Sequence, residues 1–152
     1  DLSRADIIIL THADKVDRDT LNNLKLSLGN NINHNCIFSG KHVPVGIFSA
    51  LLMKKAKLTD EIFIACAGIG SFDSFVQSLA QVGVFVEKSV EYQDHHNYTL
   101  SDLKHLFVLM ETIGCDGIVT THKDCVKINA LLAGSRFEFI RNYFYVLRIG
   151  FE

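Results

Sequence analysis

The chain has 152 residues, 48% of them apolar, with a formal net charge of −2 and a pI of about 6.4. That is ample for one buried core and modest for two, so residues 1–152 read as a single domain. No basic excess exists to hold nucleic acid or anionic lipid by charge alone, and no apolar run approaches the roughly 18 residues that a bilayer span requires.

Taken in chain order, Ala5 to Leu10 is a short β-branched run with little alternation, the pattern of a strand covered on both faces in a parallel sheet. His12 to Lys15 reads as a turn. Leu21, Leu24 and Leu28 then recur at helical spacing behind Asp17 and Asp19, with Gly29 as a stop. Between Asn30 and Leu58, strand-like stretches at Asn35 to Ser39 and Val45 to Leu52 are broken by Gly40 and by Pro44, the only proline. Some additional strand pairing is therefore expected in residues 30–58.

The second half is cleaner. Glu61 to Ala67 is a strand, and Gly68-Ile69-Gly70-Ser71 turns it into a helix whose apolar face carries Phe72, Phe75, Val76 and Leu79. Val84 to Val90 is the next strand. Beyond Tyr92-Gln93-Asp94-His95-His96-Asn97-Tyr98 a helix starts at Thr99, where Asp102 completes a T-x-x-D start resembling a capping box. Its core stripe is Leu103, Leu106, Phe107 and Met110. Asp116 to Thr121 forms another strand, Lys123 to Leu132 has helical spacing through Val126, Ala130 and Leu131, and Tyr143 to Ile149 makes a last strand.

Repeated strand-helix alternation with short connections predicts an α/β fold: a mostly parallel sheet with helices on both faces, a Rossmann-like three-layer domain. In such sheets ligands collect beyond the carboxyl ends of the strands, where helix N-termini also point their unpaired amides. Three segments that directly follow strands should converge there: Gly68-Ile69-Gly70-Ser71, Asp94-His95-His96 and Thr120-Thr121-His122-Lys123-Asp124.

Each segment carries two readings. Gly68 and Gly70 allow close backbone approach to a phosphate, and equally form an ordinary strand-to-helix turn. Asp73 breaks G-x-G-x-x-G, and no G-K-[ST] follows. A carboxylate can fix an imidazole's tautomer, so Asp94 and His95 could work as a unit. Adjacent residues do not bond each other easily, so the partner of His95 should stand elsewhere, and Asp94 could instead hold the loop by accepting amides. Lys123 and Lys127 at a helix start can meet an anion, or Asp124 can cap the helix while the lysines are solvated. His34, His42 and His105 look incidental. Cys36, Cys66, Cys115 and Cys125 form no C-x-x-C pair and sit among apolar neighbours, which predicts reduced, buried thiols of a cytoplasmic protein and no zinc site. The opening at Asp1, with neither methionine nor leader, reads as a cut point.

Together the segments resemble the tetraacyldisaccharide 4'-kinase (lipid A 4'-kinase) family of Gram-negative bacteria. The matching pieces are Leu2 to Thr11, Ala67-Gly68-Ile69-Gly70 with Phe75 and Leu79-Ala80-Gln81-Val82-Gly83, Asp94-His95-His96-Asn97-Tyr98, Thr121-His122-Lys123-Asp124-Cys125-Val126-Lys127 and Tyr143 to Leu147. Departures are Ser71-Phe72-Asp73 after the glycine turn, His122 where glutamate is usual and Cys125 in place of alanine.

The resemblance implies the C-terminal domain alone, with the P-loop half outside this chain. It implies transfer of the ATP γ-phosphate to the 4'-hydroxyl of a tetraacyldisaccharide 1-phosphate, the lipid A precursor. ATP and Mg2+ would be held mainly by the N-terminal half, and the protein would lie peripherally on the cytoplasmic face of the inner membrane. A catalytic role carries over to His95, with Asp94 orienting it. Gly68, Gly70, Thr121, Lys123 and Asp124 fall at the nucleotide or phosphate cleft by motif position. No metal site is expected in this half, no nucleic-acid partner is expected, and the isolated chain should be inactive. Two alternatives stand beside this reading. One is a metal-dependent phosphoesterase using Asp94-His95-His96, which would need further spaced aspartates. The other is a non-catalytic α/β interaction module.

Overall fold

The structure, a computed structural model, describes residues 4–29 and 36–152. The chain divides into two compact units, residues 1–43 with 150–152, and residues 44–149. In the first, β1 (Ile8–Leu10) pairs in parallel with β2 (Ile37–Ser39), with Ile8 opposite Ile37. Between them lie a 3-10 turn at Ala13–Lys15 and helix α1 (Arg18–Gly29). The leucine stripe of α1 does not become a core: no described residue of the helix is buried, and Leu24 lies exposed. His34 and Asn35 lie outside the described residues, so the strand expected from Asn35 is seen from Ile37 onward.

The second unit is built on the sheet that position 62 to 147 can be traced through. Its strands are β3 (His42–Ser49) from Pro44 on, β4 (Ile62–Ala67), β5 (Phe85–Glu91), β6 (Gly117–Thr121) and β7 (Phe144–Phe151) as far as Ile149, in the order β3-β7-β6-β4-β5. The pairs β4 with β5, β4 with β6 and β6 with β7 are all parallel. Beyond β3, an antiparallel bridge of Phe48 with Lys55 closes a hairpin, which accounts for the extra pairing expected before residue 58.

Three layers follow from where alternate side chains of β4 and β6 go. Ile64, Cys66 and Ile118 face one core with Leu103, Leu106 and Met110 of α3 (Leu100–Ile113) and Cys125, Ile128 and Leu132 of α4 (His122–Leu132). Phe63, Ala65, Ala67 and Val119 face the other core with Phe72, Phe75 and Leu79 of α2 (Phe72–Gln81). Each fully buried Leu or Ile contributes about 2 kcal/mol by its removal from water. Helices are thus set on both faces, and central strands covered on both sides read as unbroken apolar runs. β5 is the edge and carries Glu87 and Lys88 exposed, which blunts edge-to-edge pairing.

Helix α3 starts as its sequence predicts: Thr99 and Asp102 form a reciprocal capping box, and Gly114 ends the helix in the left-handed conformation at φ 81°. Helix α4 departs from expectation. Val126 and Ala130 are exposed, Leu131 is half-buried, and the inward face is Asp124, Cys125, Ile128 and Leu132. Burial of the Asp124 carboxylate sets this rotation, for reasons that lie in the site.

Candidate functional site at the strand tips

Parallel pairing in register, with Ala67 opposite Glu91, brings the carboxyl ends of β4, β5 and β6 to one rim. Backbone bonds then tie the following loops together. Tyr92 N–H donates to Ala67 O (2.9 Å), His95 N–H to Gly68 O (3.2 Å) and His96 N–H to Gln93 O (3.0 Å). His95 takes φ 62°, a left-handed backbone that a non-glycine residue adopts at a cost of about 1 kcal/mol or more.

Beneath this loop, Asp124 is 0% exposed. Its Oδ2 accepts Gly68 N–H (3.0 Å) and the Thr121 hydroxyl (2.9 Å), while Asp124 N–H donates back to Thr121 Oγ1 (3.1 Å). Thr121 is therefore the N-cap of α4, and Asp124 is the pin that joins that helix to the turn after β4. The expectation that Asp124 caps the helix is corrected: Thr121 is the cap, and the Asp124 carboxylate instead accepts the Thr121 hydroxyl and reaches across to the Gly68 amide. Asp124 Oδ1, Thr120 Oγ1 and Tyr98 OH are buried without a protein partner among the described residues.

The two glycines differ. A Cβ on Gly68 would come within 3.0 Å of both Gln93 O and His96 Cβ, so this position is glycine because the 93–96 loop packs directly on it. A Cβ on Gly70 would meet only the Asp94 carboxylate, at 3.6 Å. The Gly68 amide is committed to Asp124.

Above the loop, α4 reaches the histidines with two lysines. Lys123 Nζ stands 3.4 Å from His95 Nε2 and 4.0 Å from Asp94 Oδ1, and Lys127 Nζ donates to His96 O at 2.9 Å. An ammonium can only donate, so in this contact His95 Nε2 stands as the acceptor. The partner of His95 does stand elsewhere in the chain; its neighbour Asp94 lies 4.0 Å from Nε2, beyond hydrogen-bond reach. The imidazole is 73% exposed.

His96 is a different residue physically. Its ring stacks on Tyr92 at 4.5 Å, meets Tyr98 edge-on at 5.0 Å, and its Nε2 is 3.2 Å from Asp102 Oδ2. That same oxygen accepts Thr99 N–H (2.8 Å) and the Thr99 hydroxyl (2.9 Å). Burial works to raise the Asp102 carboxyl, but the Thr99 bonds and His96 outweigh it and hold it below its ordinary range. The Asp94-His95-His96 triplet is thus divided, with one imidazole facing out and the other turned to α3. Among the described residues no group of three His, Cys, Asp or Glu is arranged to hold a metal.

Beneath the rim the thiols and phenols are held neutral. Burial pushes the Cys66 thiol up to about 12 and Cys125 to about 11, with the Asp124 charge adding to each, and burial pushes Tyr92 to about 12 and Tyr98 further up. Cys66, Cys115 and Cys125 are buried free thiols and Cys36 is half-buried.

Sequence reasoning had singled out Asp94, His95, Gly68, Gly70, Thr121, Lys123 and Asp124, and all stand around this rim. It missed Asp102 as the partner of His96 and the grip of Lys127 on the loop. The T-x-x-D signal for Asp102 was visible, but it announced a cap and gave no sign of the histidine.

Fold and rim together define a parallel α/β domain with an imidazole and an ammonium displayed at its strand tips. The family described as tetraacyldisaccharide-1-P 4'-kinase matches residues 1–151, and the chain belongs to that family. It is 26% identical over 154 residues to the tetraacyldisaccharide 4'-kinase of Anaeromyxobacter sp. (strain K), covering 99% of this chain and 39% of that protein. With the protein of the same name from Halothermothrix orenii it shares 28% identity over 140 residues, covering 84% of this chain and 36% of the relative. A crystal structure of LpxK from Aquifex aeolicus in complex with ATP aligns with a TM-score of 0.48 and 17% identity, over 76% of this chain and 32% of that one. The chain spans about two fifths of the length of the curated relatives it matches.

Proposed function

We propose that this chain is the C-terminal domain of a tetraacyldisaccharide 4'-kinase, and that His95 is its contribution to the reaction. The observation that carries this reading is the exposed His95 imidazole, held on a strained backbone with Nε2 3.4 Å from Lys123 Nζ. A side chain with no packing role, kept in a costly conformation by Gly68 O and α4, has a geometry that function rather than folding explains.

In the proposed reaction the phosphoryl group leaves the β–γ bridging oxygen of ATP and is taken up by the 4'-oxygen of the lipid A precursor, whose hydroxyl proton must depart. Phosphoryl transfer is mainly positioning and charge stabilisation. His95 would support the proton-accepting carboxylate supplied by the P-loop half across a closing cleft, with the Asp94 carboxylate orienting it by its charge, 4.0 Å from Nε2 and from Lys123 Nζ. Lys123 suits a phosphate oxygen, being an ammonium at the N-terminus of α4. Gly68, Thr121 and Asp124 act from below by placing the loop, and Gly70 leaves the mouth of the turn open. Magnesium is another matter. The described residues of this chain lack the carboxylate set it needs, so no step is assigned to a metal held here. The nucleotide and its metal would belong to the P-loop half, and the whole protein would sit peripherally on the cytoplasmic face of the inner membrane. No described helix is long and apolar enough to cross a membrane.

The test uses the full-length protein and this chain in parallel. His95→Ala in the full-length enzyme lowers turnover by at least about tenfold, the usual loss for removing a proton-transfer or positioning group, and the 152-residue chain alone gives no turnover. Near-normal turnover by the variant rejects the role given to His95.

A further inference from the structure

The hairpin that follows β3 has an unusual tip. Leu51, Leu52 and Met53 are 41%, 66% and 42% exposed on consecutive positions. Lys54, Lys55 and Lys57 come directly after them, all exposed. In a chain of net charge −2, this is a local concentration of cations around an apolar point.

Hydrogen bonds brace the tip. Ser49 N–H donates to Lys54 O (2.9 Å), Met53 N–H to Ser49 O (2.9 Å), Ala56 N–H to Ile47 O (2.9 Å), and Leu52 N–H to the Ser49 hydroxyl (3.2 Å). Met53 takes φ 54° to close the turn. From below, buried Ala50 is bonded through its N–H to Phe144 O (2.9 Å) and through its carbonyl to the Asn129 side chain (3.1 Å). Three apolar side chains are therefore held out in water by a braced backbone, a cost the fold does not need.

The lysines and leucines share one surface. Leu51, Leu52, Lys54, Lys55 and Lys57 line a single cleft of about 400 Å³. Against them stand Asp60 and Glu61. The Glu61 carboxylate, which also faces the cleft, is occupied by the Thr59 N–H (2.7 Å) and hydroxyl (3.2 Å).

We propose that the 51–57 tip is a bilayer-contact site, in which Leu51, Leu52 and Met53 enter the headgroup boundary of an anionic leaflet and Lys54, Lys55 and Lys57 meet lipid phosphates. A charged membrane interface takes up the apolar tip and the cations beside it in one contact. The inference deepens the kinase reading and rests on it for the expectation that the acceptor is a lipid.

The test is co-sedimentation of the 152-residue chain with vesicles of phosphatidylglycerol in phosphatidylcholine, and of phosphatidylcholine alone. The chain binds the first and not the second, and added salt weakens the binding. Each lysine near an anionic surface contributes about fivefold, so K54E/K55E/K57E weakens binding by at least about a hundredfold. Leu52→Ser weakens it by about tenfold and keeps the anionic preference. Melting curves confirm folding, and K57E alone replaces the triple variant if that one unfolds. Absence of binding to anionic vesicles by the folded chain overturns the proposal and points to a protein partner for the tip, and binding that these variants leave unchanged overturns it by pointing to another surface. Vesicle binding needs neither nucleotide nor turnover, so its failure leaves the kinase reading standing, and an inactive full-length enzyme leaves the vesicle result standing.

Discussion

Asp124 and Gly68, 56 residues apart in the chain, are joined by a buried 3.0 Å hydrogen bond in which the glycine amide donates to the carboxylate. Through Gly68 O and His95 N–H that bond continues to the exposed histidine, so a residue with no access to solvent helps set the loop that displays His95.

Asp124→Ala strands the Gly68 N–H and the Thr121 hydroxyl, the partners of its Oδ2, without acceptors. Removing a buried charged acceptor costs about 3 kcal/mol, and Asp124→Asn, which keeps one acceptor oxygen, costs about half as much. Denaturant titration of the three proteins measures both. A loss below about 0.5 kcal/mol in the alanine variant would mean the bond is not structural.

The paired glycines should separate cleanly. Gly68→Ala places a methyl group 3.0 Å from Gln93 O and His96 Cβ, which forces the loop away and destabilises the fold by about 1–3 kcal/mol. Gly70→Ala meets Asp94 at an ordinary 3.6 Å and changes stability by less than about 0.5 kcal/mol. Thermal melts of the two variants decide the matter, and equal effects would contradict the packing described.

The adjacent histidines should show opposite phenotypes. His96→Ala loses its stack on Tyr92 and its contact with Asp102, costing about 1–2 kcal/mol. His95→Ala removes an exposed ring and alters stability by less than about 0.5 kcal/mol, and His95→Gly, freed from the φ 62° strain, is no less stable than the alanine variant. If His95→Ala proves the more destabilising of the pair, His95 packs in the loop and does not stand free in solvent.

Alkaline pH should unfold this protein through the groups under the rim. Cys66 is raised from 9.0 to about 12, Cys125 from 9.0 to about 11 and Tyr92 from 10.0 to about 12, each chiefly by burial, and Tyr98 is raised too. Folded values above unfolded ones stabilise fully below the ordinary thiol and phenol range, and that stabilisation is lost as pH rises through the folded values. Unfolding free energy should therefore be flat up to about pH 8.5 and fall above it, with Tyr92 and Tyr98 ionising only as the fold melts. Ultraviolet titration of tyrosine against circular dichroism tests this, and early, reversible ionisation of both tyrosines in the folded protein would refute it.

Much of the architecture was legible in the residues because its signals are local. The unbroken apolar run of Ile62 to Ala67, the stripe of Phe72, Phe75 and Leu79, and the Thr99 to Asp102 start all act within four residues or one strand. Helix α4 shows where local reading stopped. Its periodicity favoured Val126, Ala130 and Leu131, but burial of Asp124 rotated Cys125, Ile128 and Leu132 inward instead. Helix α1 shows the converse: its leucines have the spacing of a core face, yet no described residue of it is buried.

The sequence by itself determined the central strands β4, β5 and β6, the Thr99 cap of α3 and which three loops follow strand ends, because hydrophobic period and capping chemistry depend on near neighbours; it did not show that β3 runs through Pro44 or that Thr121 caps α4. Only the tertiary structure decided that Asp124 holds Gly68, that Lys123 faces His95 across 28 residues and that Lys127 holds His96 across 31. Those contacts exist because parallel register sets the tips of β4 and β6 side by side, and no spacing along the chain records that distance.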